Sequence, residues 1–109
     1  MGMISSVRKF FQRKPLVVVI RLDGVIGAVS RFGSGGLDDS NTQKLLEKAF
    51  EFEKAKAIAI KINSPGGSPT QSSLIASRIL KLSEEKKIPV LCFCEDVAAS
   101  GGYWLACAG

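Results

Sequence analysis

Two β-branched and aliphatic runs, Leu16-Val-Val-Val-Ile-Arg-Leu22 and Ala57-Ile-Ala-Ile-Lys-Ile62, and a third at Ile88–Cys94, constrain this chain more than any other feature. Each is short and continuous, with too little polar alternation for a half-exposed strand. The first reads as a strand buried on both faces, and the third as a buried strand. Helical periodicity fills the gaps between them. Leu45, Leu46, Ala49 and Phe50 share one side of the first gap, and Ile75, Ile79 and Leu82 recur through the second, from about Ser68 to Lys86. Tyr103–Ala108 is apolar enough for a buried helix after the third run. Strand and helix alternate three times, which implies parallel βαβ crossovers and an α/β fold. In such sheets ligands sit beyond the carboxyl ends of the strands.

Local signals punctuate this frame. Asp23-Gly24 is a tight-turn dipeptide, and Val25–Phe32 alternates weakly, which predicts a second, shorter strand. Gly33-Ser-Gly-Gly36 is a flexible loop; as a phosphate cradle it lacks the following Lys-Ser/Thr. Ser40-Asn-Thr-Gln43 fits a capping box, with Ser40 at the N-cap and Gln43 at N3, opening a helix that runs to near Lys56.

Charge divides unevenly. The formal net charge is +5, of which Arg8, Lys9, Arg13 and Lys14 supply four before the first strand. The sequence therefore separates into a basic arm, 1–14, and one domain, 15–109. The body carries no basic patch of the kind nucleic acid requires. Ile4, Val7 and Phe11 in the arm could form one apolar helical face opposite the basic side chains, the pattern of a helix on an anionic membrane surface. A disordered arm, or a helix packed on the domain or another subunit, fits the same residues. Met-Gly-x-x-x-Ser formally matches a myristoylation signal, and no apolar stretch follows the charges as in a cleavable signal peptide. No apolar run reaches the length of about eighteen residues that a transmembrane helix needs. Cys92, Cys94 and Cys107 are odd in number and lie in apolar segments, which predicts free thiols packed in the core within a reducing compartment.

Two segments at strand ends carry chemistry. After the second strand comes Asn63-Ser-Pro-Gly-Gly67, where Pro65 forces a sharp turn and two glycines permit close backbone approach to a ligand. After the third comes Val97-Ala-Ala-Ser-Gly-Gly-Tyr-Trp104. A serine between small residues, where strand turns to helix, suits a nucleophile, and the helix N–H groups favour an oxyanion. Taken alone, this stretch favours the reading of Ser100 as an ordinary N-cap. Read together, Ser100 Oγ would attack a carbonyl while N–H groups of Gly66 or Gly67 and of Gly101 hold the tetrahedral oxyanion. The base is missing: the sequence contains no histidine, and Lys61, the lysine nearest the turn, reads as an edge charge.

Ile-Asn-Ser-Pro-Gly-Gly-Ser at 62–68, followed after one helix and one strand by Asp-Val-Ala-Ala-Ser-Gly-Gly-Tyr-Trp at 96–104, strongly resembles the signal peptide peptidase A family, including its SohB-like members. The resemblance covers about 16–109 and is sharpest over 57–109. It implies the N-terminal part of a Clp/crotonase-like domain, with Ser100 as nucleophile and Gly66, Gly67 and Gly101 forming the oxyanion hole. It further implies a Ser–Lys dyad whose lysine lies beyond these residues, with no metal or cofactor. Substrate would be a peptide from membrane-derived or signal-peptide fragments, bound as an added strand. Ring-like or dome-like homo-oligomers and a membrane association, the cytoplasmic side favoured, complete the expectation. The 109 residues alone would then have little activity. Two alternatives share the fold: a crotonase-type protein holding an acyl-CoA enolate on the same amides, and a non-catalytic assembly or interaction module.

Overall fold

The alternation of apolar runs and helical periods becomes three strands and three helices in a computed structural model that describes residues 15–27 and 36–109. In chain order these are β1 (Leu16–Asp23), α1 (Asp39–Phe50), β2 (Ala55–Ser64), α2 (Pro69–Lys86), β3 (Val90–Ala98) and α3 (Gly101–Ala106). The strands form one parallel sheet in the order β1-β2-β3, with β2 central. The predicted α/β class and βαβ connectivity are both present. The arm at 1–14 lies outside the described residues, as do 28–32 of the predicted second strand. Of that strand, Ile26 alone pairs among the described residues, bridging in parallel to Leu37 and to Gly67.

Helix boundaries differ from the sequence reading for tertiary reasons. The capping box sits two residues upstream of Ser40 and Gln43: the Asp38 carboxylate accepts the Asn41 N–H at 2.7 Å, and Asn41 Oδ1 accepts the Asp38 N–H at 3.1 Å. Helix α2 fixes this start, because Gln71 Oε1 accepts the Asp39 N–H at 2.7 Å and Arg78 grips the Asp39 carboxylate at 2.9 and 3.0 Å. Helix α1 stops at Phe50 rather than near Lys56, since Ala55 already pairs with Leu16 of β1. Helix α2 opens with Ser68 Oγ accepting the Gln71 N–H at 3.2 Å and Pro69 in its first turn.

The Arg78–Asp39 bond holds the Asp39 carboxyl below the usual carboxylate range and raises Arg78. A lowered carboxylate adds stability above its ordinary titration range, and that stability fades as pH falls through the lowered value. Arg78→Ala is therefore expected to cost about 1 kcal/mol at neutral pH and to flatten the acid-side loss. Denaturant midpoints of both proteins at pH 7 and pH 3 check this, and equal acid sensitivity would refute it.

Ile58, Ile60 and Ile62 of β2 are fully buried, packed with Leu22, Leu46, Phe50, Ile75 and Ile79. Helices α1 and α2 pack on each other and so lie on one side of the sheet, and α3 packs on α2, β2 and β3. Two successive right-handed crossovers travelling in the same direction place both helices on the same face. The opposite face is open among the described residues. Val17 and Val19 are 46% and 60% exposed, and Leu91 and Phe93 are 53% and 52% exposed. The expectation that β1 is buried on both faces, and that β3 is a buried strand, is thus corrected. A continuous apolar run records what a strand can tolerate on each side, not which side these residues cover. Across the open face Arg21 reaches Glu95 at 2.9 Å, joining the two outer strands.

Candidate active site

The β2–α2 turn is built by the Asn-Ser-Pro-Gly-Gly sequence. Pro65 follows the last residue of β2, and Gly66 and Gly67 then take φ values of +100° and +150°, conformations that L side chains rarely adopt. The Ile26 segment clamps the turn from one side: the Ile26 N–H donates to the Gly66 carbonyl at 2.9 Å, and the Ile26 carbonyl accepts the Ser68 N–H at 2.8 Å. A Cβ on Gly67 would overlap the Ile26 carbonyl oxygen.

The second turn presents the serine. Ser100 stands between β3 and α3 with φ 53° and ψ −121°, a strained conformation for a residue with a side chain. It occupies the N-cap position of α3, yet its side chain makes no capping hydrogen bond. The cap reading of Ser100 therefore has no bond behind it. The residue is exposed, and its carbonyl accepts the Trp104 N–H at 3.1 Å.

The two turns touch through their glycines. A Cβ on Gly66 would lie 2.7 Å from Ser100 Cβ, 2.8 Å from the Gly101 nitrogen and 2.9 Å from the Ala99 carbonyl oxygen. Gly101 is packed on Ser72 Oγ and Gly102 on the Ser64 carbonyl oxygen. The sheet register shifts between Ile62 and Ser64, so that Ser64 pairs with Ala98. Asn63 Oδ1 accepts the Val97 N–H at 3.1 Å, and the Ser64 carbonyl accepts the Ala99 N–H at 3.1 Å. Sequence reasoning brought Ser100, Gly66, Gly67 and Gly101 to one place, and the structure brings them together. It missed Ile26, Asn63 and Ser64; Asn and Ser before a Pro-Gly turn were the available signal, since both bond backbone groups in such turns.

The free N–H groups are unevenly distributed. Gly66 donates to Ser64 Oγ at 3.1 Å. Among the described residues, the N–H groups of Gly67 and Gly101 donate to no backbone or side-chain acceptor. The described lysines are all exposed, and none hydrogen-bonds Ser100. No group of three or more His, Cys, Asp or Glu among the described residues could hold a metal ion.

The cysteines depart from the core expectation. Cys92 is half-buried, whereas Cys94 and Cys107 are exposed, one in the middle of the outer strand and the other at the end of α3. Burial first, then the neighbouring Cys94 and Cys107, pushes the Cys92 thiol up to about 11. At pH 8 a disulfide reagent should modify Cys94 and Cys107 within minutes and Cys92 far more slowly, because only thiolate reacts. Mass mapping of the modified peptides checks this, and equal rates at all three would refute it.

No protein-family model matches the chain. It is 46% identical over 102 residues to the Na(+)/H(+) antiporter NhaA of Brucella melitensis, covering 94% of this chain and 14% of that protein. It is 38% identical over 96 residues to the chloroplastic serine protease SPPA of Arabidopsis thaliana, covering 84% of this chain and 14% of that protein. Protease 4 of Haemophilus influenzae is 33% identical over 92 residues, covering 83% of this chain and 14% of that protein. The chain thus spans about one-seventh of the length of these relatives. No helix of the described residues is long and apolar enough to cross a membrane. Further relatives that cover 66–83% of this chain are likewise named as proteases or signal peptide peptidases. The chain belongs to the signal peptide peptidase A family.

Proposed function

We propose that this chain supplies the nucleophile and oxyanion-binding half of a serine endopeptidase. Ser100 Oγ attacks the scissile carbonyl, and its proton passes to a lysine outside the described residues, completing a Ser–Lys dyad. The N–H groups of Gly67 and Gly101 receive the oxyanion. Gly66, whose own N–H is occupied, provides the close contact that seats Ser100. Acyl-enzyme formation releases the amine of the leaving fragment, and water then frees the acid. Because α3 has only six residues, the two directed N–H groups rather than a long helix dipole carry the oxyanion.

The carrying observation is the backbone of Ser100. Holding a non-glycine residue in that region costs on the order of 1–3 kcal/mol, and such strain clusters at functional sites. An N-cap serine would have no need of it, since caps adopt extended backbone. The substrate we propose is a peptide laid as an added strand, from membrane-derived or signal-peptide fragments, by homo-oligomers of the full-length protein.

A fluorophosphonate probe reads the proposal directly. On the full-length protein it should form one covalent adduct, mapped to Ser100. Absence of that adduct, with saturable binding of an acyl-CoA, would replace the peptidase reading by the crotonase-type one. Absence of both would leave an assembly module.

A further inference from the structure

We infer that Ser64 is a positioning residue that sets which amides face the oxyanion, an inference resting on the acyl-transfer reading above. Ser64 is fully buried at the end of β2, and it contacts both turns. Its hydroxyl oxygen accepts the Gly66 N–H at 3.1 Å. Its carbonyl accepts the Ala99 N–H, one residue before the nucleophile, and supports Gly102 on the far side of it.

Peptide planarity links these bonds to the site. The Gly66 carbonyl and the Gly67 N–H belong to one trans peptide unit and point in opposite directions. With the Gly66 carbonyl held by the Ile26 N–H, the Gly67 N–H must point away from Ile26. The preceding unit, Pro65–Gly66, is held by Ser64 Oγ alone. Two glycines in sequence have little resistance to rotation about their own bonds. Without the Ser64 hydroxyl, a buried Gly66 N–H loses its acceptor, and the turn gains by rotating that N–H elsewhere. The Ile26 bond then holds the Gly66–Gly67 unit alone, and the Gly67 N–H is no longer fixed from both sides of the turn. Ser64 thus keeps Gly66 out of the oxyanion site and Gly67 in it, while its main chain sets the height of Ser100 against both.

The test measures fluorophosphonate labelling rates at Ser100 in the full-length protein. Ser64→Ala should label about ten- to a hundredfold more slowly, the loss expected when one oxyanion donor is misdirected. The shape of the pH–rate profile should not change, because the base is untouched; a merely destabilised fold would not produce this separation. Ser64→Cys, whose sulfur is a weaker acceptor in the same place, should recover part of the rate. It also decides the matter if Ser64→Ala does not fold. A wild-type rate in Ser64→Ala, or, where only Ser64→Cys folds, a wild-type rate despite its weaker acceptor, overturns the inference and leaves the proposed role of Ser100 standing. Failure of the unsubstituted protein to label overturns the nucleophile reading, and this inference with it.

Discussion

Replacing Ser100 by alanine is expected to abolish fluorophosphonate labelling and to lower peptide hydrolysis by the full-length protein by a factor on the order of 10⁴ or more. Stability should hardly move. A serine that caps a helix loses about 0.5–2 kcal/mol on mutation to alanine, but the Ser100 side chain makes no capping bond to lose. Alanine also inherits the same strained backbone, so nothing is relieved. Ser100→Gly separates the two effects further. Glycine accepts φ near +53° without a Cβ clash, so this variant should be equally inactive yet more stable, by about 1 kcal/mol. Thermal melts beside labelling assays read both quantities. Retained hydrolysis in Ser100→Ala would remove the serine from the mechanism, and a large loss of stability in it would restore the cap reading.

Gly66→Ala should damage both the fold and the site through a single methyl group. Its φ of +100° disfavours any L residue, and the new Cβ would sit 2.7 Å from Ser100 Cβ and 2.8 Å from the Gly101 nitrogen. Conformational strain and forced displacement together should cost about 2–4 kcal/mol. The displacement falls on the proposed nucleophile, so activity should drop by about 10²-fold or more even where the protein stays folded. Gly24 provides the comparison, because its φ of +105° is nearly the same while an added Cβ would meet nothing within 4 Å. Gly24→Ala should therefore show the strain alone, about 1 kcal/mol, with activity intact. Equal effects of the two substitutions on labelling would mean that the contact between Gly66 and Ser100 does not seat the serine.

Much of this site is visible in the residues, and the parts that are not have a common cause. The order of runs at Leu16, Ala57 and Ile88 is enough to require parallel crossovers, and crossovers are enough to bring Gly66-Gly67 and Ser100 to the same end of one sheet. Pro65 and the two glycines announce a sharp turn by their own stereochemistry. By contrast, the start of α1 moved from Ser40 to Asp38 because Gln71 and Arg78, on another helix, bond Asp39. The exposure of Val19 and Phe93 follows from which face the helices occupy, a property of handedness rather than of either strand.

The sequence by itself determined the α/β class, the place of the two turns and the serine that stands at the second. These depend on period, on apolar content and on residues with restricted or unusual backbone freedom, all of which act locally. Only the tertiary structure decided that Ser100 caps nothing and that the Gly66 N–H is already taken while those of Gly67 and Gly101 are not. Where a hydrogen bond ends depends on partners such as Ile26 and Ser64, brought to the turn by the sheet. No spacing along the chain specifies that destination, because it is fixed by packing between segments that are distant in sequence.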